Sequence, residues 1–186
     1  SRIGLSYTQV DRDFYDPTQP APKTFDSRGT NASLDYQGTW TINPVWRAVF
    51  GAETERAWFR SASPLYGTDV DRESARTNSV YGQLQAKPAQ GLTLTGGLRY
   101  EDHDTYGSHT LGQVAAAWAL NEGDTVLRAS FGQGFRAPGL YELYSEYGNL
   151  NLSPEEFDSW DAGIEQRFFG GAGRVDVGVV VVAAVH

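Results

Sequence analysis

The stretch VLRASFGQGFRAPGLYELYSEYGNLNLSPEEFDSWDAGIE, residues 126–165, opens with strict alternation. Leu127, Ala129 and Phe131 fall on one face of an extended strand. Arg128, Ser130, Gly132, Gly134 and Arg136 fall on the other. Pro138 ends the ladder because it has no N–H to offer a paired neighbour, and a Tyr-rich loop follows. Alternation resumes after Pro154, with Trp160, Ala162, Ile164 and Phe168 opposing Ser159, Asp161, Glu165 and Arg167. A strand, a polar and aromatic loop and a returning strand read as one outer hairpin of a transmembrane β-barrel.

The same segment carries a family resemblance. A strand ends in Gly132, Gly134, Phe135, Arg136, Ala137 and Pro138. Leu140, Glu142, Leu143 and Tyr144 follow, and a turn with Asn149, Asn151, Leu152, Pro154 and Glu155 leads into the next strand. This pattern resembles the barrel signature of TonB-dependent outer-membrane receptors. The short loop YSEYGNLNL looks like the cobalamin-receptor branch. The resemblance implies partners: outer-membrane lipid and lipopolysaccharide, the TonB system acting through a plug domain, and a small-molecule ligand such as a corrinoid or a ferric siderophore. It implies no cofactor and no catalytic residue, and a barrel of about 22 strands. Neither a plug nor a TonB-binding segment is recognisable, so residues 1–186 are expected to be a partial barrel, with Gram-negative outer membrane as the location.

The rest of the chain repeats the hairpin pattern. A first strand over residues 2–12 puts Ile3, Leu5 and Tyr7 outward, and residues 14–29 read as a Pro-rich loop. Residues 31–42 set Ala32, Leu34, Tyr36, Trp40 and Ile42 against Asn31, Ser33, Asp35, Gln37 and Thr39. After a turn at Asn43 and Pro44, residues 45–59 present Trp46, Ala48 and Phe50 on the apolar side. Residues 60–74 read as a long polar loop, residues 78–87 as a strand with Val80, Leu84 and Ala86 outward, and PAQG at 88–91 as a turn. Leu92, Leu94, Leu98 and Tyr100 against Thr93, Thr95, Arg99 and Glu101 form the cleanest strand. A loop at 102–108, a strand at 110–120 with Val114, Ala116, Trp118 and Leu120 outward, and a turn at NEGD 121–124 complete the approach to the organising hairpin. A Gly-rich turn, FGGAG, closes that hairpin.

Long and short connections thus alternate, as loops and turns do on the two sides of an outer membrane. The fold class is all-β: an antiparallel up-and-down transmembrane barrel, partial, with eight strands and the start of a ninth at Arg174. The tail after Gly178, VVVVAAV, breaks the pattern, being apolar on both faces where lumen residues should be polar. Energetics fixes the orientation elsewhere, since turning the strand over would put Arg128 in hydrocarbon at about 2–4 kcal/mol near the midplane.

Composition agrees. The chain has 186 residues, no Cys, no Met and Ser at position 1, which reads as a processed chain or a piece of a longer one. No stretch reaches the roughly 18 consecutive apolar residues of a spanning helix, and a mean hydropathy of −0.45 suits strands that meet lipid on alternate residues only. The net charge of −8 argues against nucleic acid. Ten Tyr and five Trp fit interfacial girdles.

Three groups of side chains are candidate sites. Tyr141, Tyr144 and Tyr147, with Arg136 beneath them, are placed to contact a bulky ligand at the outer mouth; a girdle or loop self-packing is the alternative. Gly132, Gly134, Pro138 and Pro154 read as structural, glycines for close approach and prolines where pairing ends. EDHD at 101–104 offers cation ligands, with a solvated loop the plainer reading, and no metal site is expected. Ser108, His103 and His109 raise hydrolysis, but no nucleophile motif surrounds them and strand neighbours face opposite ways. Besides the receptor wall, two further functions stand: a self-contained eight-stranded barrel with a structural or adhesive role, and an outer-membrane hydrolase.

Overall fold

The computed structural model describes residues 1–20, 22–64, 67–145 and 147–185. Nine antiparallel strands form one sheet in strict sequence order, β1 Arg2–Tyr15, β2 Lys23–Thr41, β3 Trp46–Ser63, β4 Thr68–Ala89, β5 Leu92–His103, β6 Gly107–Leu120, β7 Thr125–Arg136, β8 Glu155–Phe168 and β9 Gly173–Val185. A five-residue helix, α1 Leu140–Tyr144, lies between β7 and β8. The sheet does not close, because β1 and β9 are its edges. A self-contained eight-stranded barrel is therefore not what this chain forms.

Register confirms the two faces. Trp40, Ala48, Leu84, Gly96, Val114, Phe131, Trp160 and Val181 follow one another across the ladders from β2 to β9. This outward row is apolar from edge to edge. The inward face carries the charges: Arg99 pairs with Glu53 at 3.1 Å and Glu101 at 3.0 Å, and Arg128 pairs with Glu165 at 3.0 Å. The only buried apolar residues among those described are Phe25, Phe59, Ala86 and Leu143. Leu98 remains 65% exposed and Trp160 58%, so no dry core exists between stacked layers. Apolar surface on this scale marks a face that something other than water covers.

Three polar stretches expected as loops are mostly paired strand. Of residues 14–29 only 16–22 connect β1 to β2. In residues 60–74, β3 runs to Ser63 and β4 starts at Thr68, with Leu65 and Tyr66 outside the described residues. Of residues 102–108 only 104–106 lie between strands. The cause is the solvent. Going up each strand the outward face changes from apolar to polar, as from Tyr7 to Gln9 and Asp11 on β1, from Ala52 to Thr54 and Arg56 on β3, and from Val80 to Asn78 and Arg76 on β4. Beyond that line both faces are wet, so the alternation vanishes while the backbone ladder continues. The asymmetry between the two ends therefore comes from strand extension. Only the connection at 137–154 is long.

At the opposite end the turns are tight, and local chemistry makes them so. Asn43 Oδ1 accepts the N–H groups of Val45 and Trp46, both at 2.9 Å, which closes the β2–β3 turn. Gly91 sits at φ +74°, and a Cβ there would strike the carbonyl of Ala119, so only glycine fits. The tail enters the sheet in full register with β8. Val175, Val177, Val179 and Val181 continue the outward row, while Val180 and Val182 point inward and stay 72% and 63% exposed on the edge strand.

Candidate functional site

The long connection folds back over the inward face. α1 contacts β3 and β4, which are four and three strands away from β7 in sheet order, so the sheet curls towards this side and the inward face is concave. Tyr141 anchors the contact, its ring meeting Phe59 of β3 edge-on at 5.8 Å, and Leu143 is buried beneath. Phe59 is an aromatic on the charged, inward row of its strand. That misfit in the alternation is the signal from which the docking of the loop could be read.

Arg136 ends β7 and ties both flanks of the loop together. Its guanidinium meets Glu142 of α1 at 2.8 Å and Glu155, the first residue of β8, at 3.5 Å. Glu142 also accepts the Gly139 N–H at 2.7 Å, satisfying one of the free donors at the start of the helix. That backbone bond, and then the Arg136 charge, hold the Glu142 carboxyl below its ordinary range. The same acids raise Arg136, Glu142 most of all.

The remaining loop residues shape the turn into β8. Asn149 Oδ1 accepts the Asn151 N–H at 2.9 Å, and the Asn149 N–H reaches the Glu142 carbonyl at 2.9 Å. Pro154 immediately precedes β8 and Pro138 follows β7 by two residues. Tyr144 lies close enough to Tyr106, in the β5–β6 turn, to raise the Tyr106 phenol after the larger effect of burial. The Tyr106 hydroxyl in turn reaches the Leu152 carbonyl at 3.5 Å. Tyr147 is 77% exposed. Arg136, Tyr141 and Tyr144 thus belong to one assembly at the mouth, with Tyr147 on its open side.

The motif glycines differ. The Phe157 ring occupies the space a Gly134 side chain would need, whereas Gly132 meets nothing nearer than Gln113 Cβ at 4.0 Å. Phe135 stacks on His109 at 3.8 Å, and His109 Nδ1 lies 3.2 Å from Glu156. Alternation does not reveal this group, because β6 and β7 stop pairing above Gln113 and Gly132 and the face rule fails there.

The other candidates disperse. EDHD is not a loop: Glu101, Asp102 and His103 are in β5. Glu101 binds Arg99, and Asp104 accepts the Arg76 N–H at 2.8 Å. His103 Nδ1 accepts the Thr105 N–H at 3.2 Å. Among the described residues no three His, Asp or Glu groups gather as metal ligands. His109 is engaged with Phe135 and Glu156, and Ser108 neighbours it on the opposite face of β6.

Residues 1–180 match the family described as TonB dependent receptor-like, beta-barrel. The chain belongs to that family. It is 30% identical over 169 residues to the vitamin B12 transporter BtuB of Vibrio cholerae serotype O1, a match covering 89% of this chain and 26% of that protein. Its fold resembles the siderophore receptor PirA from Pseudomonas aeruginosa (TM-score 0.72, 20% identity, 86% of this chain and 33% of that one). It also resembles the copper transporter OprC (TM-score 0.69, 19% identity, 97% and 34%). The chain therefore spans about a quarter of the curated relative and a third of the structural neighbours. TonB-dependent receptors are β-barrel receptors and transporters of the Gram-negative outer membrane rather than enzymes, which sets the hydrolase reading aside.

Proposed function

We propose that this chain supplies part of the lumen wall and outer mouth of an outer-membrane TonB-dependent transporter for a bulky ligand, a corrinoid or a ferric siderophore. In this reading the apolar outward row meets the bilayer and the charged inward row lines the passage. A plug moved by the TonB system completes the whole transporter. Ligand arrives at the loop over residues 137–154, where Tyr141, Tyr144 and Tyr147 offer ring faces and edges above Arg136.

The observation that carries the reading is the fold-back of α1 onto Phe59, which sets Tyr141 over the concave face, with Tyr147 exposed beside it. Rigid rings held this way give contact area at little entropic cost. The identity with a vitamin B12 transporter supports a corrinoid, while the structural neighbours include a siderophore receptor, so the test compares the two ligands. The protein, purified from outer membranes, is titrated with cyanocobalamin and with a ferric siderophore, alongside a Tyr141→Ala, Tyr144→Ala double variant. Binding of one ligand class that weakens about tenfold or more in the variant is the expected result. Failure to bind either class, or binding indifferent to both substitutions, refutes the proposal.

A further inference from the structure

We propose that His109 is a proton-sensitive latch that holds the upper end of β7, and with it the loop at 137–154, against β6. The inference goes beyond the ligand reading above and stands or falls without it, since the latch needs no ligand.

A latch has work to do here because the sheet is split. β6 pairs with β5 up to Gly107 and β7 pairs with β8 up to Arg136, yet β6 and β7 pair with each other only as far as Gln113 and Gly132. Residues 107–112 and 133–136 therefore face each other across a seam with no backbone ladder. The Gly112 N–H reaches the Gln133 side-chain oxygen at 3.2 Å, and the Gln133 amide continues to Asp158 at 3.5 Å, which marks the foot of the seam. Above it stands the His109 group.

Alternation assigns His109 to the inward row of β6, and Phe135 and Glu156 to the outward rows of β7 and β8. In the seam they meet. The His109 ring stacks on Phe135 with 3.8 Å between centroids and the planes 23° apart. Its Nδ1 lies 3.2 Å from the Glu156 carboxylate and its Nε2 3.2 Å from the Tyr106 carbonyl. Both ring nitrogens thus face oxygens that only accept. A neutral imidazole carries one N–H and leaves one nitrogen lone pair against lone pair, whereas the protonated ring carries two and serves both. Its positive charge is also attracted by Glu156 and by the face of Phe135. Proton uptake therefore tightens the contact of β6 with β7 and β8.

The other ionisable groups around the ring are already engaged. Glu101, directly opposite His109 on β5, holds Arg99, and Arg136, next after Phe135, is clamped by Glu142 and Glu155. His103 accepts the Thr105 N–H and meets the Tyr106 ring at 5.2 Å. Because Arg136 follows Phe135 directly, the latch fixes the strand end on which the mouth clamp is built.

The test uses the protein purified from outer membranes in neutral detergent, with spin labels on Thr110→Cys in β6 and Ala137→Cys just past β7. The chain has no cysteine of its own to interfere. The distance between the labels is read at pH 5 and pH 8, the limits between which an imidazole ordinarily changes charge. Wild type is expected to show one short distance at pH 5 and a second, longer one at pH 8, the ratio of long to short rising about tenfold. His109→Phe keeps the stack and has no proton to take, so its distances should not respond to pH. Glu156→Gln removes the anion and should shrink the response. An equal rise in His109→Phe, or an undiminished one in Glu156→Gln, overturns the proposal. Should neither variant be recovered folded, wild type decides alone: distances that do not change between pH 5 and pH 8 overturn it.

Discussion

Arginines on the two faces of this sheet live by different rules. On the concave face Arg99, Arg128, Arg167 and Arg174 are matched, while Arg47 at the lower end of β3 has no ion pair among the described residues. Glu165 is only 3% exposed and receives Arg128, Arg167 and Arg174, with Asp176 also on Arg174; Glu53 and Glu101 share Arg99. Arg167 and Arg174 are directly opposed across the β8–β9 ladder, as Arg56 and Arg76 are across β3–β4, yet only the inner pair has acids beside it. Glu165 must find its partners within the protein, because water hardly reaches its carboxylate. The outward pair, at the exposed surface, is left to water and its ions.

The sharpest way to break the distinction between faces is to move an arginine across it. Val114 faces outward in the apolar row and Gln113, one residue before, faces inward and bonds Gln83 at 3.1 Å. Val114→Arg is expected to cost about 2–4 kcal/mol if the outward row meets hydrocarbon, and Gln113→Arg about 1 kcal/mol or less. Equilibrium refolding from urea into lipid vesicles measures both. Equal costs would mean that no lipid distinguishes the faces.

A smaller effect follows from removing the shared acid. Glu165→Gln keeps the shape and leaves three arginines without their anion. We expect about 1–3 kcal/mol of destabilisation, less than for a fully buried pair because the arginines are about half exposed. Added salt should recover part of it by screening the three cations from one another. A Glu165→Gln variant as stable as wild type at low salt would show the acid is dispensable.

On the other face the sign reverses. In lipid-free detergent, Arg56→Gln with Arg76→Gln removes an opposed like-charge pair and is expected to stabilise by about 0.2–1 kcal/mol. Thermal unfolding in uncharged detergent reads this directly. A clear loss of stability would show that these arginines hold the ladder together through contacts within the protein, as the inner ones do.

Much of this contrast is legible in the residues. Leu127, Ala129 and Phe131 against Arg128 and Ser130 mark the faces, because side chains of a strand alternate between its two sides, and apolar surroundings on one with polar surroundings on the other impose a period of two. The reading stops where that solvent difference stops. Asp26, Ser27 and Arg28, or Glu73 and Ser74, carry no alternation, and their pairing rests on backbone hydrogen bonds that leave no mark on side-chain polarity. The contact of Tyr141 with Phe59 joins positions 82 apart, set by the curl of the sheet rather than by any local pattern. The aromatic and arginine content of the mouth can be read from the loop, but the clamp of Arg136 on Glu142 and Glu155 needs the strands to be in place.

Between the two extremes lies the mouth itself, where Arg136 is matched by acids although all three groups are solvent-exposed. Glu142 offers the weakest and most specific test. Its folded-state pKa is lowered first by the Gly139 N–H and then by Arg136. A lowered carboxyl adds stability that is complete above the ordinary value of 4.5 and is lost as pH falls below it through the folded value. The loop at 137–154 is therefore expected to stay closed at neutral pH and to loosen in the acid range below about pH 4.5. Slowed exchange of the Gly139 amide should disappear over that window. Glu142→Gln retains an oxygen for the Gly139 N–H and cannot titrate, so its exchange should show no such step. A step of the same size in the Glu142→Gln variant would assign the acid response to another group, Glu155 being the nearest one on Arg136. Loss of the step at high salt in wild type would place most of it in the ion pair rather than in the helix-end hydrogen bond.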